Sequence, residues 1–569
     1  MSFLFLVPLL PLVAAVIVAF GSRASRERCA QLGVAPIVAA FVGAIAILIL
    51  VSRQGPIVFR WYEPGASAHL TLPAGFLFDR LSAVMMVLIT GISTIIYLYS
   101  MRYMQQERGY SRFLSLMILT VFVLLCMVSS ANLVMLFVFW QLLTWQLYLL
   151  AHRHEHQPTL EGSFKTFTIL RVADMAFLAG IVLAYALYGT IEFQELAARA
   201  AATPVTLSLW PGVLEMRGVT AVTLLIFIGA MGKSAQFPLH LWLPGSLYAP
   251  TPVHALLHAG IINAGGFLLN RLAPLYGLSP TVLHVAFVIG MLTAVLGATT
   301  MLVQNDIKKT LGFSTIGQMG YMIMECGLGA FALAVFHLIA HGLFKATVFL
   351  NCGNVIHKAR QEPHLPHGSH GHAVEEPELS RLTWATGFVT TLLVPLIILL
   401  ATHGVLDIPL LDSHGTVIFL FFTWVTSSQA ILTLTRLRAV ASWKVSVAML
   451  GTLVFVVFTY LFAAETFTHF LYPDPKEVAF YFQAAALPGR SFDVLVAGTA
   501  VLTILSWTYL YAQAHGRTMH VPERVAAMKI RLYVLFANRL YADALHARIG
   551  RAVVRVADYV DKHPFGRKS

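Results

Sequence analysis

The stretch GAMGKSAQFPLHLWLP (residues 229–244) carries a lysine, Lys233, inside an apolar run, with a proline, Pro238, five residues later. An ammonium group near the bilayer centre costs roughly 2.5–3.5 kcal/mol on insertion scales, so it persists only if paired, hydrated or functional. Pro238 breaks the helix and frees carbonyl groups that must line a cavity. A lysine snorkelling to the interface is the alternative. Because lysine and break occur together, we interpret Lys233 as an ion carrier.

The composition around this stretch is that of a membrane protein. Of 569 residues, 58% are hydrophobic and 11% are charged, whereas soluble domains carry about 25% charged residues. The net charge of +12 is spread over short loops, which follows the positive-inside rule and argues against a nucleic-acid-binding patch. The four cysteines form no CxxC pair, which argues against an iron–sulfur cluster, a structural zinc site or a disulfide framework.

Apolar runs long enough to span a bilayer predict an all-α polytopic protein of about fifteen transmembrane helices. The first run lacks a basic region and a cleavage site, so we interpret it as a retained helix and not as a signal peptide. Alternation from an outside N-terminus puts most Lys and Arg, and the C-terminus, on the cytoplasmic side of the inner membrane. The predicted helices lie at 3–20, 33–51, 79–101, 113–130, 132–150, 165–188, 219–236, 251–270, 281–303, 311–325, 329–356, 382–402, 415–435, 445–463 and 494–512.

Three long segments lie outside the predicted transmembrane helices. Two proline- and glycine-bearing segments, 52–76 and 189–218, are expected to cap the outer face. The tail at 513–569 repeats apolar positions between arginines, which predicts a basic amphipathic helix on the cytoplasmic surface or a docking element for a partner.

Titratable side chains recur at helical spacing in two further predicted helices. His254 and His258 are one turn apart in helix 8, and His337, His341 and Lys345 form a stripe along helix 11. Histidines that titrate near neutral pH suit a proton relay, although any one of them taken singly can equally be a hydrogen-bonded core residue. Five titratable groups in two helices favour a polar ion path that includes all five. A histidine pair at this spacing could bind zinc, but no third ligand lies nearby in sequence, so we assign no metal site.

Helix 6 carries Arg171 and Asp174, three residues apart. They can neutralise each other, or Asp174 can be the carboxylate that tunes Lys233. Lys308, at the inner end of helix 9, is either a path residue or a topology anchor. The His-rich loop at 357–381 fits a flexible inner loop as well as it fits metal binding. No glycine motif occurs in a context that suits a nucleotide, so no cofactor is predicted.

Three separated runs carry a family resemblance: GKSAQFPLHLWLP with APTPVHALLHAG (232–260), DIKKTLGFSTIGQMGYM (306–322) and HLIAHGLFKATVFLNCGNVIH (337–357). They resemble the antiporter-like subunits of respiratory complex I and the Mrp antiporters, with the subunit-5 branch nearest. The resemblance implies N-terminal helices in 1–112, inverted five-helix repeats at 113–270 and 281–435 with broken helices 7 and 12, and further helices in 445–512. It also implies ion-path roles for Lys233, Asp174, Arg171, Lys308, His337, His341 and Lys345.

Two positions depart from the family pattern. A neutral residue, Gln141, stands where the family usually has a glutamate that pairs with the central lysine. Helix 12, interrupted at Pro395, lacks the family's charged motif and is followed only by His403 and Asp407. Two of the usual pumping groups are therefore absent.

This combination resembles the DabB-type membrane subunits of energy-coupled inorganic-carbon pumps. The resemblance implies a soluble, zinc-containing DabA-type partner on the cytoplasmic face, similar to a β-carbonic anhydrase. Flow of H+ or Na+ through the membrane subunit would make CO2 hydration by that partner unidirectional and accumulate bicarbonate. The chain would then be a coupling subunit without a catalytic centre. The alternatives are a proton-pumping subunit of complex I or a membrane hydrogenase, and a subunit of a multisubunit Na+/H+ antiporter.

Overall fold

The computed structural model describes residues 3–21, 26–62, 74–107, 109–151, 157–210, 214–246, 249–361, 462–486 and 523–562, and these are mostly helical. The helices predicted at 382–402, 415–435 and 494–512, and nearly all of 445–463, lie outside the described residues. Pro395, His403, Asp407 and most of the His-rich loop lie outside them as well.

Each predicted helix up to residue 356 coincides with described helical structure. The first helices are α1 (Leu10–Phe20, after a 3-10 turn at Leu4–Leu9), α2 (Arg26–Leu32), α3 (Val34–Gln54), α4 (Arg80–Tyr103), α5 (Tyr110–Val128), α6 (Leu133–Ala151), α7 (Gln157–Tyr188) and α8 (Phe193–Ala202). There follow α9 (Gly218–Lys233), a 3-10 turn (Leu239–Leu241), α10 (Trp242–Ser246), α11 (Thr251–Leu256), a π turn (Leu257–Ile261), α12 (Ala264–Arg271), α13 (Ala273–Gly277), α14 (Pro280–Leu302), α15 (Ile307–Gly327) and α16 (Phe331–Gln361). The last are α17 (Pro475–Ala484), α18 (Glu523–Ala537), a 3-10 turn (Arg539–Tyr541) and α19 (Ala542–Lys562).

Within the described residues, 8 helices are long and apolar enough to cross a membrane, and Leu4–Phe20 and Gly218–Lys233 are shorter apolar helices. The predicted class, a polytopic helical membrane protein, is confirmed. The total of fifteen helices, the repeat boundaries and the orientation of the termini stay predictions.

Two small hairpins qualify the all-α prediction. Strand β1 (Ile57–Tyr62) pairs antiparallel with β2 (Ala74–Phe78), and β3 (Thr206–Trp210) pairs antiparallel with β4 (Leu214–Arg217). β1 reads IVFRWY, and β-branched and aromatic residues favour strands. Bridges from Phe76 to Ser130 and from Asn132 to Glu192 tie this region to the bundle. The hairpins, α8, α13 and α17 mark one end of the bundle, which we call the hairpin end.

Helices α14 and α15 pack closely against each other, and glycines make this contact possible. A Cβ at Gly297 would lie 2.4 Å from the backbone nitrogen of Gly317, and one at Gly320 would lie 2.4 Å from that of Ala294. Small residues at such positions let membrane helices approach backbone to backbone. This contact fixes α15, which carries several polar residues of the candidate site.

An ion pair joins α12 to the start of α4. Asp79 caps α4 by accepting a hydrogen bond of 2.8 Å from the Ser82 backbone nitrogen. Both of its oxygens also accept from the guanidinium of Arg271, which donates in addition to the Val128 carbonyl at 3.3 Å. The Arg271 side chain is only 4% exposed, so its charge depends on Asp79.

The C-terminal tail docks at the other end of the bundle, which we call the tail end. Asp543 at the start of α19 accepts from Lys165 of α7 and from Arg539 at 3.2 Å. Burial alone would raise the pKa of Asp543, but the hydrogen bond and charge of Lys165, aided by Arg539, outweigh it and lower that pKa. Arg539 and Leu540 line a cleft together with His240 of the interrupted helix.

We expect Arg271→Ala to lower the thermal stability of the purified protein, because it leaves the Asp79 carboxylate uncompensated. Breaking a buried pair by removing one partner costs about 3 kcal/mol or more. The measurement is the unfolding temperature in detergent. Arg60→Ala is the control, because the Arg60–Glu192 pair is 40% and 31% exposed and such pairs contribute at most about 1 kcal/mol. Equal unfolding temperatures for both variants would contradict the prediction.

We expect Asp543→Asn to loosen the tail, measured as amide hydrogen exchange of residues 539–562 at pH 7. The pair is partly exposed, so a contribution of about 1 kcal/mol predicts roughly fivefold faster exchange. Because the pKa of Asp543 is lowered, this stabilisation is present above the ordinary aspartate pKa and is lost as the pH falls through the lowered value. Asp558→Asn, on the exposed part of α19, should leave the exchange unchanged.

Candidate ion-translocation site

The predicted break in helix 7 begins at Lys233, the last residue of α9. The 16 residues of α9 rise about 24 Å at 1.5 Å each, less than the roughly 30 Å of a bilayer core. Ala235 then adopts a left-handed conformation (φ 47°), and helical structure resumes only at Leu239. The helix therefore ends inside the membrane thickness, with Lys233 at its C-terminus, where the helix dipole favours a cation.

The Lys233 ammonium is completely buried and held by α6. It donates to the Trp140 carbonyl at 3.0 Å and to the Thr144 hydroxyl, and it lies 5.2 Å from the centroid of the Trp140 indole. Lys233 is 0% exposed, which excludes the snorkelling alternative. Its partners are neutral oxygens and an aromatic face, which can hold a charged and a neutral amine alike.

Asp174 reaches Lys233 through shared residues. Its carboxylate accepts from the Trp140 indole N–H at 2.7 Å and from the Thr144 hydroxyl at 3.4 Å. Asp174 is 2% exposed. Lys233 and Asp174 are thus connected by Thr144, which contacts both, and not by a direct ion pair. We call these three residues with Trp140 the lysine centre.

Arg171 forms no direct ion pair with Asp174, although its charge acts on the Asp174 carboxylate. Its guanidinium donates instead to the side-chain oxygen of Gln141 and, at 3.4 Å, to the Gln141 carbonyl. It also lies over the rings of Phe167 and Trp145, at 4.8 and 5.7 Å. Gln141 is therefore an arginine partner in this chain.

The two predicted histidine groups meet in space. His254 and His258 both stack on Phe349 of α16, with ring centroids 5.6 and 4.5 Å away. The His258 ring lies 6.5 Å from that of His341, which lies 6.4 Å from that of His337. His258 sits in the π turn, a helix irregularity that is frequent at functional sites. We call His254, His258, His341 and His337 the histidine row.

One end of the row is paired with an acid that sequence reasoning missed. Nδ1 of His337 lies 3.1 and 3.2 Å from the Glu325 carboxylate oxygens, and Nε2 lies 2.9 Å from the side-chain oxygen of Gln318. Glu325 and Gln318 belong to α15, and Glu325 lies two residues before that helix ends at Gly327, close to the hairpin end.

The two predicted lysines of this half lie on the tail side of the row. Lys345 donates to the Ser314 hydroxyl at 2.8 Å, and its charge acts on His258 and His341. Lys308 donates to the Ala249 carbonyl at 3.3 Å, in the segment that follows the helix break. The structure brings Lys345 to the row and places Lys308 at the interrupted helix.

Buried polar atoms occur at the helix break and in and beside the histidine row. The side-chain oxygens of Gln236 and Asn263, and the ring nitrogens of His258 and His341, make no hydrogen bond to any described residue. Buried polar groups of this kind are satisfied by water when the protein supplies no partner. The region between the two groups is therefore suited to hydrated proton transfer.

Sequence reasoning missed three residues of the site, Trp140, Thr144 and Glu325. Trp140 and Thr144 are 34 and 30 residues from Asp174, and a tryptophan or threonine in an apolar helix is ordinary. Glu325 lies 12 residues from His337, and only the packing of α15 on α16 shows that they meet. A lone glutamate inside a predicted membrane helix is the one signal that could have been used.

Comparison with known proteins follows this geometry. The family model for the membrane part of NADH:quinone oxidoreductase and Mrp antiporter subunits matches residues 130–435. The model for the N-terminus of complex I chain 5 matches residues 64–114. The first match covers more than half of the chain and includes the lysine centre and the histidine row.

Curated relatives fall into two groups. The chain is 38% identical over 554 residues to a probable inorganic carbon transporter subunit, DabB1, of Halothiobacillus neapolitanus, covering 96% of this chain and 97% of that protein. It is 40% identical over 304 residues to NADH-quinone oxidoreductase subunit L of Neisseria meningitidis, covering 52% of this chain and 44% of that protein. The second similarity therefore spans less than half of the quinone oxidoreductase subunit.

Solved structures share the fold. The Mrp complex from Dietzia sp. aligns with a TM-score of 0.59 and 21% identity, over 98% of this chain and 60% of that one. Respiratory complex I from Thermus thermophilus aligns with a TM-score of 0.53 and 18% identity, over 90% of this chain and 97% of that one. The chain belongs to the NADH:quinone oxidoreductase/Mrp antiporter family of cation-translocating membrane subunits.

Proposed function

We propose that this chain is the proton-translocating membrane subunit of an inorganic-carbon uptake complex. In this complex, proton flow makes the hydration of CO2 by a soluble zinc-containing partner unidirectional. The observation that carries the proposal is the lysine centre, in which a buried lysine shares a threonine hydroxyl with a buried aspartate. The similarity to an inorganic carbon transporter subunit over nearly the whole of both chains supports the choice of pathway.

The lysine centre can load and release a proton without moving a helix. The Thr144 hydroxyl is both a donor and an acceptor. It can therefore accept a hydrogen bond from the Lys233 amine while it donates one to the Asp174 carboxylate, and so relay a proton between them. Lys233 lies at a helix break, where carbonyl groups and the Gln236 and Asn263 side chains offer a polar route toward the histidine row. Neutral imidazoles can then carry the proton onward.

The position of Gln141 favours coupling over an ordinary quinone-driven pump. The amide is engaged by Arg171, and Lys233 has Asp174 as its acid neighbour through Thr144. One carboxylate thus serves the central lysine. A proton-pumping subunit of complex I or a membrane hydrogenase, and a multisubunit Na+/H+ antiporter subunit, remain the competing functions.

The energy available from proton flow is sufficient for this role. One charge that crosses 100 mV supplies roughly 2.3 kcal/mol, which displaces an equilibrium about fiftyfold. The partner we propose is a DabA-type protein bound at the tail end, with the tail end on the cytoplasmic side of the bacterial inner membrane. Hydration of CO2 would take place in that partner, and this chain would supply the driving force.

We expect Lys233→Ala to abolish proton flux and carbon uptake, because it removes the titratable amine at the helix break. Thr144→Val should reduce flux roughly tenfold to hundredfold by removing the shared hydroxyl. Gln141→Ala should be milder, because Gln141 contacts Arg171 and not Lys233. The measurement is dye-detected proton flux into vesicles that contain the complex. Lys476→Ala, an exposed lysine on α17, is the control. An active Lys233→Ala protein would refute the proposed path.

We expect this chain, expressed with its soluble partner, to restore growth in air to a carbonic-anhydrase-deficient host. The reason is that bicarbonate supply limits such a host, and an energy-coupled pump replaces the missing enzyme. Lys233→Ala with the same partner is the matched control and should not restore growth. Absence of rescue by the wild-type pair, together with co-purification of quinone-reductase subunits, would favour the complex I alternative.

A further inference from the structure

We infer that Glu325 and His337 together form the proton-exchange site at which the histidine row meets the membrane face of the hairpin end. The inference rests on the proposed function, since it assigns one terminus of the same proton path. Glu325 is thereby a proton-binding residue in its own right and does more than orient a histidine.

The geometry at His337 suits both of its protonation states. With oxygens at 3.1 Å from Nδ1 and 2.9 Å from Nε2, both nitrogens can donate, which describes an imidazolium balanced by the Glu325 carboxylate. With the Gln318 amide turned over, its NH2 group donates to Nε2 of a neutral ring that still donates to Glu325. The same three side chains therefore hold His337 before and after it releases a proton.

The row opens at this end. Glu325 is 8% exposed and His337 is half-buried, whereas His341 and His258 are 5% and 0% exposed. Glu325 also lies within one turn of the end of α15. Protons that arrive from this side therefore meet the more accessible pair before the buried rings.

The pair supplies the row with a negative charge. Among the described residues, the side-chain charges that act on His258 and His341 come from other histidines and from Lys345. A row of basic groups with no acid would repel an incoming proton. Glu325 is the acid that the described part of the chain places in contact with the row, so it can draw a proton to His337.

Continuity along the row follows from the ring positions. Centroid separations of 6.4 and 6.5 Å leave gaps that one bridging water can span between ring nitrogens. The ring nitrogens of His341 and His258 have no hydrogen-bond partner among the described residues. A proton released by His337 therefore has an acceptor on the next ring.

Other titratable groups around the pair are weak acids or lie farther away. Tyrosine and cysteine titrate in water near pH 10 and about 8.5, so a pH dependence near neutrality comes from carboxylates and imidazoles. The Glu325 variants then separate the contribution of Glu325 and His337 from that of His341 and Glu477. The neighbouring groups are Tyr321 and Cys326 on α15, His341 on α16, and Tyr472, Glu477 and Tyr481 in the segment at 462–486.

The test compares Glu325→Gln with Glu325→Asp in vesicles that contain the whole complex. Proton flux is recorded while the pH is varied on one face at a time. Glu325→Gln should slow flux roughly tenfold or more and remove its dependence on the pH of the hairpin face, and Glu325→Asp should restore both in part. Glu465→Gln is the matched control, because Glu465 forms an exposed pair with His469 at 3.1 Å, and it should behave as wild type.

Wild-type flux and pH dependence in Glu325→Gln, with Lys233→Ala inactive, would overturn this inference and leave the proposed function standing. No flux in the wild-type complex would overturn the proposed function itself. If Glu325→Gln fails to assemble, His337→Gln and Glu325→Asp test the proposed proton-exchange site instead. Loss of the hairpin-face pH dependence in His337→Gln with partial retention in Glu325→Asp supports the site, and wild-type behaviour of both overturns it.

Discussion

The burial of the Lys233 ammonium is the constraint on which the rest of the site depends. A cation with no access to water must find its partners within the protein, and here they come from three helices. The end of α9 contributes its dipole, α6 contributes the Trp140 carbonyl and the Thr144 hydroxyl, and α7 contributes Asp174. These helices cannot separate without exposing the charge to lipid. The contacts that hold α6, α7 and α9 together are thus the same contacts that form the lysine centre.

Charge is distributed differently from the pattern that the family resemblance implies. Arg171 donates to Gln141 and lies over two aromatic rings, and its charge also acts on Asp174. The direct contacts of Arg171 do not involve the Asp174 carboxylate. Asp174 instead accepts from Thr144, to which Lys233 also donates. In the second half, Glu325 brings an acid to the histidines. In the described part of the chain, each of the two groups of titratable residues therefore contains one acid.

Much of this arrangement could be predicted from sequence, and the remainder has identifiable physical reasons for escaping prediction. Long apolar runs located the helices, and helical spacing grouped His254 with His258 and His337 with His341. The partners of Lys233 could not be found in this way, because Trp140 and Thr144 are 93 and 89 residues away. The hairpins were missed because strand propensity in IVFRWY is weak evidence beside the prolines and glycines of the same segment. Glu325 was missed because an isolated acid shows no periodicity.

The shared hydroxyl of Thr144 has one further consequence. A hydroxyl owns a single hydrogen, so it can give that hydrogen to Asp174 while it receives one from Lys233, but it cannot give to both. Once Lys233 has lost its proton, the amine becomes an acceptor and competes with the carboxylate for that hydrogen. Rotation about the Cβ–Oγ1 bond of Thr144 then decides whether the hydroxyl donates to the Asp174 carboxylate or to the Lys233 amine. Reorientation of this single O–H bond is therefore enough to change the hydrogen bonding of the lysine centre.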